Sequence, residues 1–250
     1  MKQGQKLWTR DEILIAINLY HKLTFGQLDA RNKLVIEVAE KLGRTSNSLA
    51  LKLVNLASLD TSLPRKGMSN YSKLDKEVWS EFYSAPEEVV FESEVLLNKI
   101  LPEDKEFDLE NIKSKKTETQ RVIISRVNQS FFRKSILASY ENKCCISGLN
   151  LNSMLIASHI IPWNKDEKNR LNPSNGLCLN ALYDKAFDKG FITVNSNFEI
   201  IISNTILRLE ETKYLNDNFI KIHKNKIRIP QKFLPQKEFL EYHNDIIFQK

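Results

Sequence analysis

Residues 157–163 read ASHIIPW, residues 172–180 read NPSNGLCLN, and residues 181–188 read ALYDKAFD. Residues 154–160 form an apolar run that reads as a strand, with His159 near its end. Ile161, Pro162 and Trp163 turn the chain, because proline cannot donate to a strand ladder. A polar loop over 164–175 carries Lys165, Lys168 and Arg170 and closes on Asn175. Gly176 opens a second strand over 177–179, and a helix begins near Ala181. Asp184 and Asp188 stand four residues apart, so they share one helix face. Gly190 marks the end of that helix. The expectation is a two-stranded hairpin followed by a short helix.

Taken singly, these residues are bland. A lone His is most often a satisfied structural residue, an Asn-Gly pair a turn, and two Asp on a helix a solvated face. The joint order is much rarer, and it matches the needs of phosphodiester hydrolysis. That reaction needs a base for the attacking water and a cation to neutralise the scissile phosphate and the departing oxygen. An imidazole with a pKa near ~6.5 suits the base at neutral pH. Hard carboxylate oxygens suit Mg²⁺, which keeps several waters and takes only one or two protein carboxylates.

The segment 144–194 resembles the HNH endonucleases and their ββα-metal fold. The resemblance is closest to the subgroup with SHIxPW or AHIxPW followed by NGLxL and a short helix. It implies that His159 is the general base and that Asn175 shapes the loop and helps hold that base. The family's final metal ligand falls on Asp184, nine positions after Asn175, with Asp188 a further candidate. Ser158 stands where many members place an Asp that binds metal, and a hydroxyl is the weaker ligand. Tyr183 stands where some relatives have His, and is assigned to packing or to phosphate contact. Paired CxxC knuckles are missing, so no structural zinc is expected. The implied protein is a DNA endonuclease dependent on Mg²⁺ or Mn²⁺, with Lys165, Lys168 and Arg170 available to the backbone of double-stranded DNA. A double-strand cut implies a homodimer. The implied role is restriction or modification-dependent defence. A phage or mobile-element nicking nuclease, RNA cleavage, and a DNA-binding regulator with a degenerate HNH fold stay open beside it.

The bulk properties agree with a nucleic-acid partner. The chain has 250 residues, 42% hydrophobic and 27% charged, with a formal charge of +6 and a pI near 9.0. A basic excess favours a polyanion. Cys144 and Cys145 are adjacent, poor geometry for a bridge, so the three cysteines read as reduced thiols. The first residues lack the apolar stretch of a signal peptide, and no apolar run spans a membrane. A cytoplasmic protein is expected.

Upstream, the pattern is helical. Thr9 with Glu12 makes a capping box, and Ile13, Ala16, Ile17 and Tyr20 form one apolar face. Further helices are expected over 32–42, 46–57 and 72–83. Ala39, Gly43 and Leu49 follow helix-turn-helix logic, with Gly43 in the turn. Such a motif would present Ser46, Asn47 and Ser48 to the major groove, with Lys52 and Asn55 further along and Lys41 and Arg44 on phosphates. Trp163 is expected as a core anchor, and His21, His223 and His243 as structural or exposed. The expected class is α+β: a helical, helix-turn-helix-like DNA-binding domain over 1–85, a linker over 86–120 with a short helix near 93–100, and an HNH nuclease domain over 121–250. A helix over 129–140, a strand over 198–202 and a helix after Pro235 complete the plan.

Overall fold

The Thr9 hydroxyl accepts the Glu12 N–H, and the Glu12 carboxylate accepts the Thr9 N–H at 2.9 Å, so α1 (Arg10–Lys22) starts where its capping box predicts. The computed structural model describes residues 6–63, 70–102 and 117–250. Within the first unit follow α2 (Lys33–Lys41), α3 (Ser46–Ala57), α4 (Lys73–Ser84) and α5 (Pro86–Ile100). Then α6 (Thr117–Ser139) begins. The chain divides into two compact units, 1–134 and 135–250.

The sequence suggested one apolar face on α1, but every residue from Glu12 to His21 is buried. The cause is α5, which lies in the stretch read as linker and packs against α1 together with α3 and α4. Pro86 at its first turn lets α5 begin well before residue 93. Asn18 Nδ2 donates to Ser93 Oγ at 2.8 Å, and Lys22 pairs with Glu94 at 2.7 Å, so α1 and α5 are registered by polar contacts as well as apolar ones. Residues 103–116 of the expected linker, with its basic Lys113, Lys115 and Lys116, lie outside the described residues. Helix α6 starts earlier than the expected 129.

Between α2 and α3, Gly43 sits at φ 63°, the Arg44 N–H donates to Ala39 O, and the Gly43 N–H donates to Glu40 O. That is the Schellman closure a left-handed glycine permits. Ala39 and Leu49 are buried, as close helix crossing requires.

In the second unit, β1 (Leu155–His159) pairs antiparallel with β2 (Gly176–Asn180), with Ser158 opposite Leu177 and His159 opposite Gly176. Strand β2 runs straight into α7 (Ala181–Asp188), because the Asn180 side chain caps the helix through the Tyr183 N–H. Gly190 at φ 69° ends α7 with the Gly190 N–H on Phe187 O and the Phe191 N–H on Ala186 O. A second hairpin pairs β3 (Ile192–Val194) with β4 (Ile200–Ile202). The expected strand over 198–202 is shorter because Phe198 takes a left-handed φ of 63° in the turn that closes this hairpin. Short helices α8 (Asn204–Leu207), α9 (Lys213–Asn218) and α10 (Lys237–Tyr242) follow, and α10 continues as a wider π turn over His243–Ile247. The architecture is α+β, with two small antiparallel sheets among helices. No helix of the described residues is long and apolar enough to cross a membrane.

Candidate active site

Strand β1 presents Ser158 and His159 in succession, and α7 packs on both β1 and β2. The loop between the strands, 160–175, is gathered by one side chain. Asn175 is fully buried; its Oδ1 accepts the Ile161 N–H at 2.8 Å, and its Nδ2 donates to Ile161 O at 3.2 Å and Asn169 O at 3.3 Å. Its own carbonyl accepts the Ile160 N–H. An Asn fits here because it supplies a donor and an acceptor on one planar group.

The gathered loop reaches back to His159. Its Nε2 lies 2.9 Å from the Arg170 carbonyl oxygen. A carbonyl only accepts, so the Nε2 carries the proton and Nδ1 is the basic nitrogen of the neutral ring. Burial lowers the His159 pKa below its ordinary 6.5, opposed by the Arg170 carbonyl, so the ring is neutral at pH 7. The Trp163 ring meets it edge-on at 5.5 Å. Trp163 is only half-buried, so it walls the imidazole rather than anchoring a core.

On α7, which packs against β1, Asp184 is half-buried and Asp188, one turn on, is exposed. Burial raises both carboxyl pKa values, and for Asp188 the neighbouring Asp184 raises it further. The Ser158 hydroxyl sits beside Asp184 and draws its pKa down. Yet no atom meets the distance and angle of a full hydrogen bond to Ser158 Oγ, which is buried. An orphaned hydroxyl beside the partly desolvated Asp184, with Asp188 one helix turn on, is a set of hard oxygens of the chemical kind that a divalent cation takes. Among the described residues no group of three or more His, Cys, Asp or Glu is arranged as a metal cage. A Mg²⁺-like ion needs none, since waters fill most of its shell. Ser158 joins the two halves of the site, neighbouring His159 along the strand and Asp184 across space.

The cationic candidates divide. Lys165 and Lys168 are exposed on the loop. Arg170 is tied down: Nε donates to Trp163 O at 2.8 Å, and Nη2 pairs with Glu167 at 3.2 Å. Its backbone carbonyl, which no side-chain pattern signals, is what fixes His159. In the first unit, Ser46 is half-buried and Asn47 exposed at the start of α3. Arg44 and Lys52 are placed otherwise than expected. Arg44 pairs with Glu12 at 2.6 Å with its side chain 5% exposed, and lies 3.9 Å over the Trp8 ring. Lys52 pairs with Asp75 at 2.6 Å, their side chains 7% and 1% exposed. Both cations are committed to carboxylates inside the helical unit, and neither is offered to a phosphate.

Other residues are structural. Tyr183 is buried and its hydroxyl donates to Asn218 O at 3.0 Å, which favours the packing role. Cys144, Cys145 and Cys178 are buried and form no disulfide, and Cys144 Sγ accepts the N–H groups of Ser147 and Asn180. His243 stacks on Phe187 with ring centroids 3.6 Å apart. Its Nε2 donates to Phe187 O, and its Nδ1 lies 2.8 Å from Thr193 Oγ1. It thereby supports the last turn of α7, a contact across 56 residues that sequence reasoning had no signal for.

Residues 144–195 match the family model described as HNH endonuclease. The matched segment runs from the Cys144 turn through β1, β2 and α7 into the second hairpin. No curated protein matches the chain.

Proposed function

We propose, on the premise that residues 144–195 form an HNH endonuclease domain, that this protein is a metal-dependent DNA endonuclease in which His159 Nδ1 is the general base. The observation that carries the reading is the Nε2–H···O=C bond to Arg170, which fixes the tautomer that a base requires. In this mechanism His159 takes a proton from the attacking water as the water closes on phosphorus. Asn175 holds the loop that supplies the Arg170 carbonyl. Ser158, Asp184 and Asp188 form the oxygen set for Mg²⁺ or Mn²⁺. That ion, when bound, neutralises the scissile phosphate and the departing oxygen. Lys165 and Lys168 sit on the loop where a DNA backbone would approach. The helical unit is assigned to DNA contact through the turn between α2 and α3, led by Ser46 and Asn47, with Arg44 and Lys52 supporting the unit from inside. One such site cuts one strand, so a double-strand cut takes two copies, and restriction or modification-dependent defence is the role this chemistry suits.

Plasmid DNA incubated with Mg²⁺ or Mn²⁺ tests the reading. Cleavage is expected, and His159→Ala should lower it by about 10²–10⁴-fold while leaving DNA binding intact. Ser158 in a ligand position favours a second reading, a DNA-binding regulator without chemistry. Binding without cleavage under any divalent cation would select it.

A further inference from the structure

The segment 224–228 carries a row of cations that the active site does not use. We propose that Lys224, Lys226 and Arg228 form a backbone-binding strip for duplex DNA flanking the cleaved linkage, an assignment that rests on the endonuclease reading above.

Residues 225–228 run extended beside the second hairpin. The Ile200 N–H donates to Asn225 O, the Ile227 N–H donates to Phe198 O, and Lys226 bridges Glu199. Ile227 is buried at 3% exposure, while Lys224, Lys226 and Arg228 are all exposed. Lys226 and Arg228 flank the buried Ile227 in this extended stretch and so point away from the core, while Lys224, at a left-handed φ of 64°, stands on the turn that leads into it. At about 3.3 Å per residue Lys226 and Arg228 stand ~6.6 Å apart, a spacing that flexible side chains match to successive phosphates of one strand.

The strip is fastened to the nuclease core. The Arg228 N–H donates to Cys145 O, and the Cys145 N–H donates to Cys178 O in β2. The row is thus held in lateral register with the hairpin that carries His159. The Arg228 guanidinium lies over Gly148, where an added Cβ would come within 3.2 Å of Nη2. Gly148, at φ 75°, leaves that space open.

Charge selects the partner. Many other cations here are spent on carboxylates: Lys221 on Asp217, Lys143 on Glu141, Arg170 on Glu167 and Lys250 on Asp245. Among the described residues, none pairs with Lys224, Lys226 or Arg228. The nearest acid by backbone pairing, Glu199, accepts from Asn195 Nδ2 at 3.0 Å. Three unneutralised cations, two on the paired edge and one on the turn before it, fit a linear polyanion, and they supply affinity without reading bases.

The test is a salt titration. Binding of a fluorescent DNA duplex to the full chain is followed by anisotropy, in a His159→Ala background that prevents cutting. Each phosphate contact contributes about 0.9 to the slope of log affinity against log salt. The variant Lys224→Gln/Lys226→Gln/Arg228→Gln is expected to flatten that slope by about 2.7. Its binding should be weaker at low salt and converge on the parent at high salt. A variant slope equal to the parent's, in protein with an unchanged melting curve, overturns the assignment alone. A parent that binds no duplex, or that prefers single strands or RNA, overturns the endonuclease reading with it. Should the triple variant fold poorly, Lys226→Gln by itself must lower the slope by about 0.9.

Discussion

Asn175→Ala probes the link between the loop and the base. The substitution deletes three hydrogen bonds at a site with no solvent exposure. It leaves the Ile161 N–H without its partner and takes a donor from the Ile161 and Asn169 carbonyls. A buried group left unmatched costs about 1–3 kcal/mol, and the carbonyls retain a lone pair for other contacts. The expected loss for the loop is about 2–4 kcal/mol. Because about 1.4 kcal/mol is tenfold, the Ile161 amide should exchange with solvent roughly 30- to 1,000-fold faster. Hydrogen exchange resolved over 160–175 reads this directly, with peptides from α1 as an internal control. Cleavage should fall in parallel, because the Arg170 carbonyl that orients His159 belongs to the same loop. If Asn175 acts on the chemistry through His159, the double variant His159→Ala/Asn175→Ala should cut no worse than His159→Ala. Full additivity of the two losses, or unchanged Ile161 exchange in Asn175→Ala, would refute the reasoning.

The same structure fixes three further outcomes. Burial holds His159 below 6.5, so the acid limb of kcat/KM should lie below pH 6.5; a limb centred at or above that value would contradict a buried neutral base. Lys52→Met strands the Asp75 carboxylate in the helical unit and should destabilise it by about 3–5 kcal/mol in thermal or denaturant melts, with no change in the salt slope of DNA binding. A weakened salt slope in a stable Lys52→Met protein would return Lys52 to the DNA interface. Burial lowers the His243 pKa to about 4. A lowered folded value means its contribution is complete above pH 6.5 and is lost as pH falls toward 4, a change of about 3 kcal/mol. Melting curves across that window should fall less steeply for His243→Gln than for the parent, and identical slopes would dismiss this account.

The hairpin and helix around His159 were legible because every signal there is local. Pro162 stops a strand, Asn180 caps a helix three residues before Tyr183, and Gly190 adopts the φ that ends it. The capping box at Thr9 and the glycine turn at Gly43 are local in the same way. The first unit was harder. The second buried face of α1 depends on α5, some 75 residues away, and a weak amphipathic pattern there read as a linker.

The sequence by itself determined which residue types stand in which order, and so the ββα element and its candidate His, Asn and Asp. Only the tertiary structure decided their partners. Arg44 meets Glu12 across 32 residues, Lys52 meets Asp75 across 23, and His159 meets the Arg170 carbonyl across 11. A cation's sequence neighbours do not say whether its charge ends in a carboxylate or in water. A backbone carbonyl is common to all residues and leaves no mark in the sequence. Chain closure over long separations settles both, because burial and hydrogen-bond geometry exist only once distant segments have met.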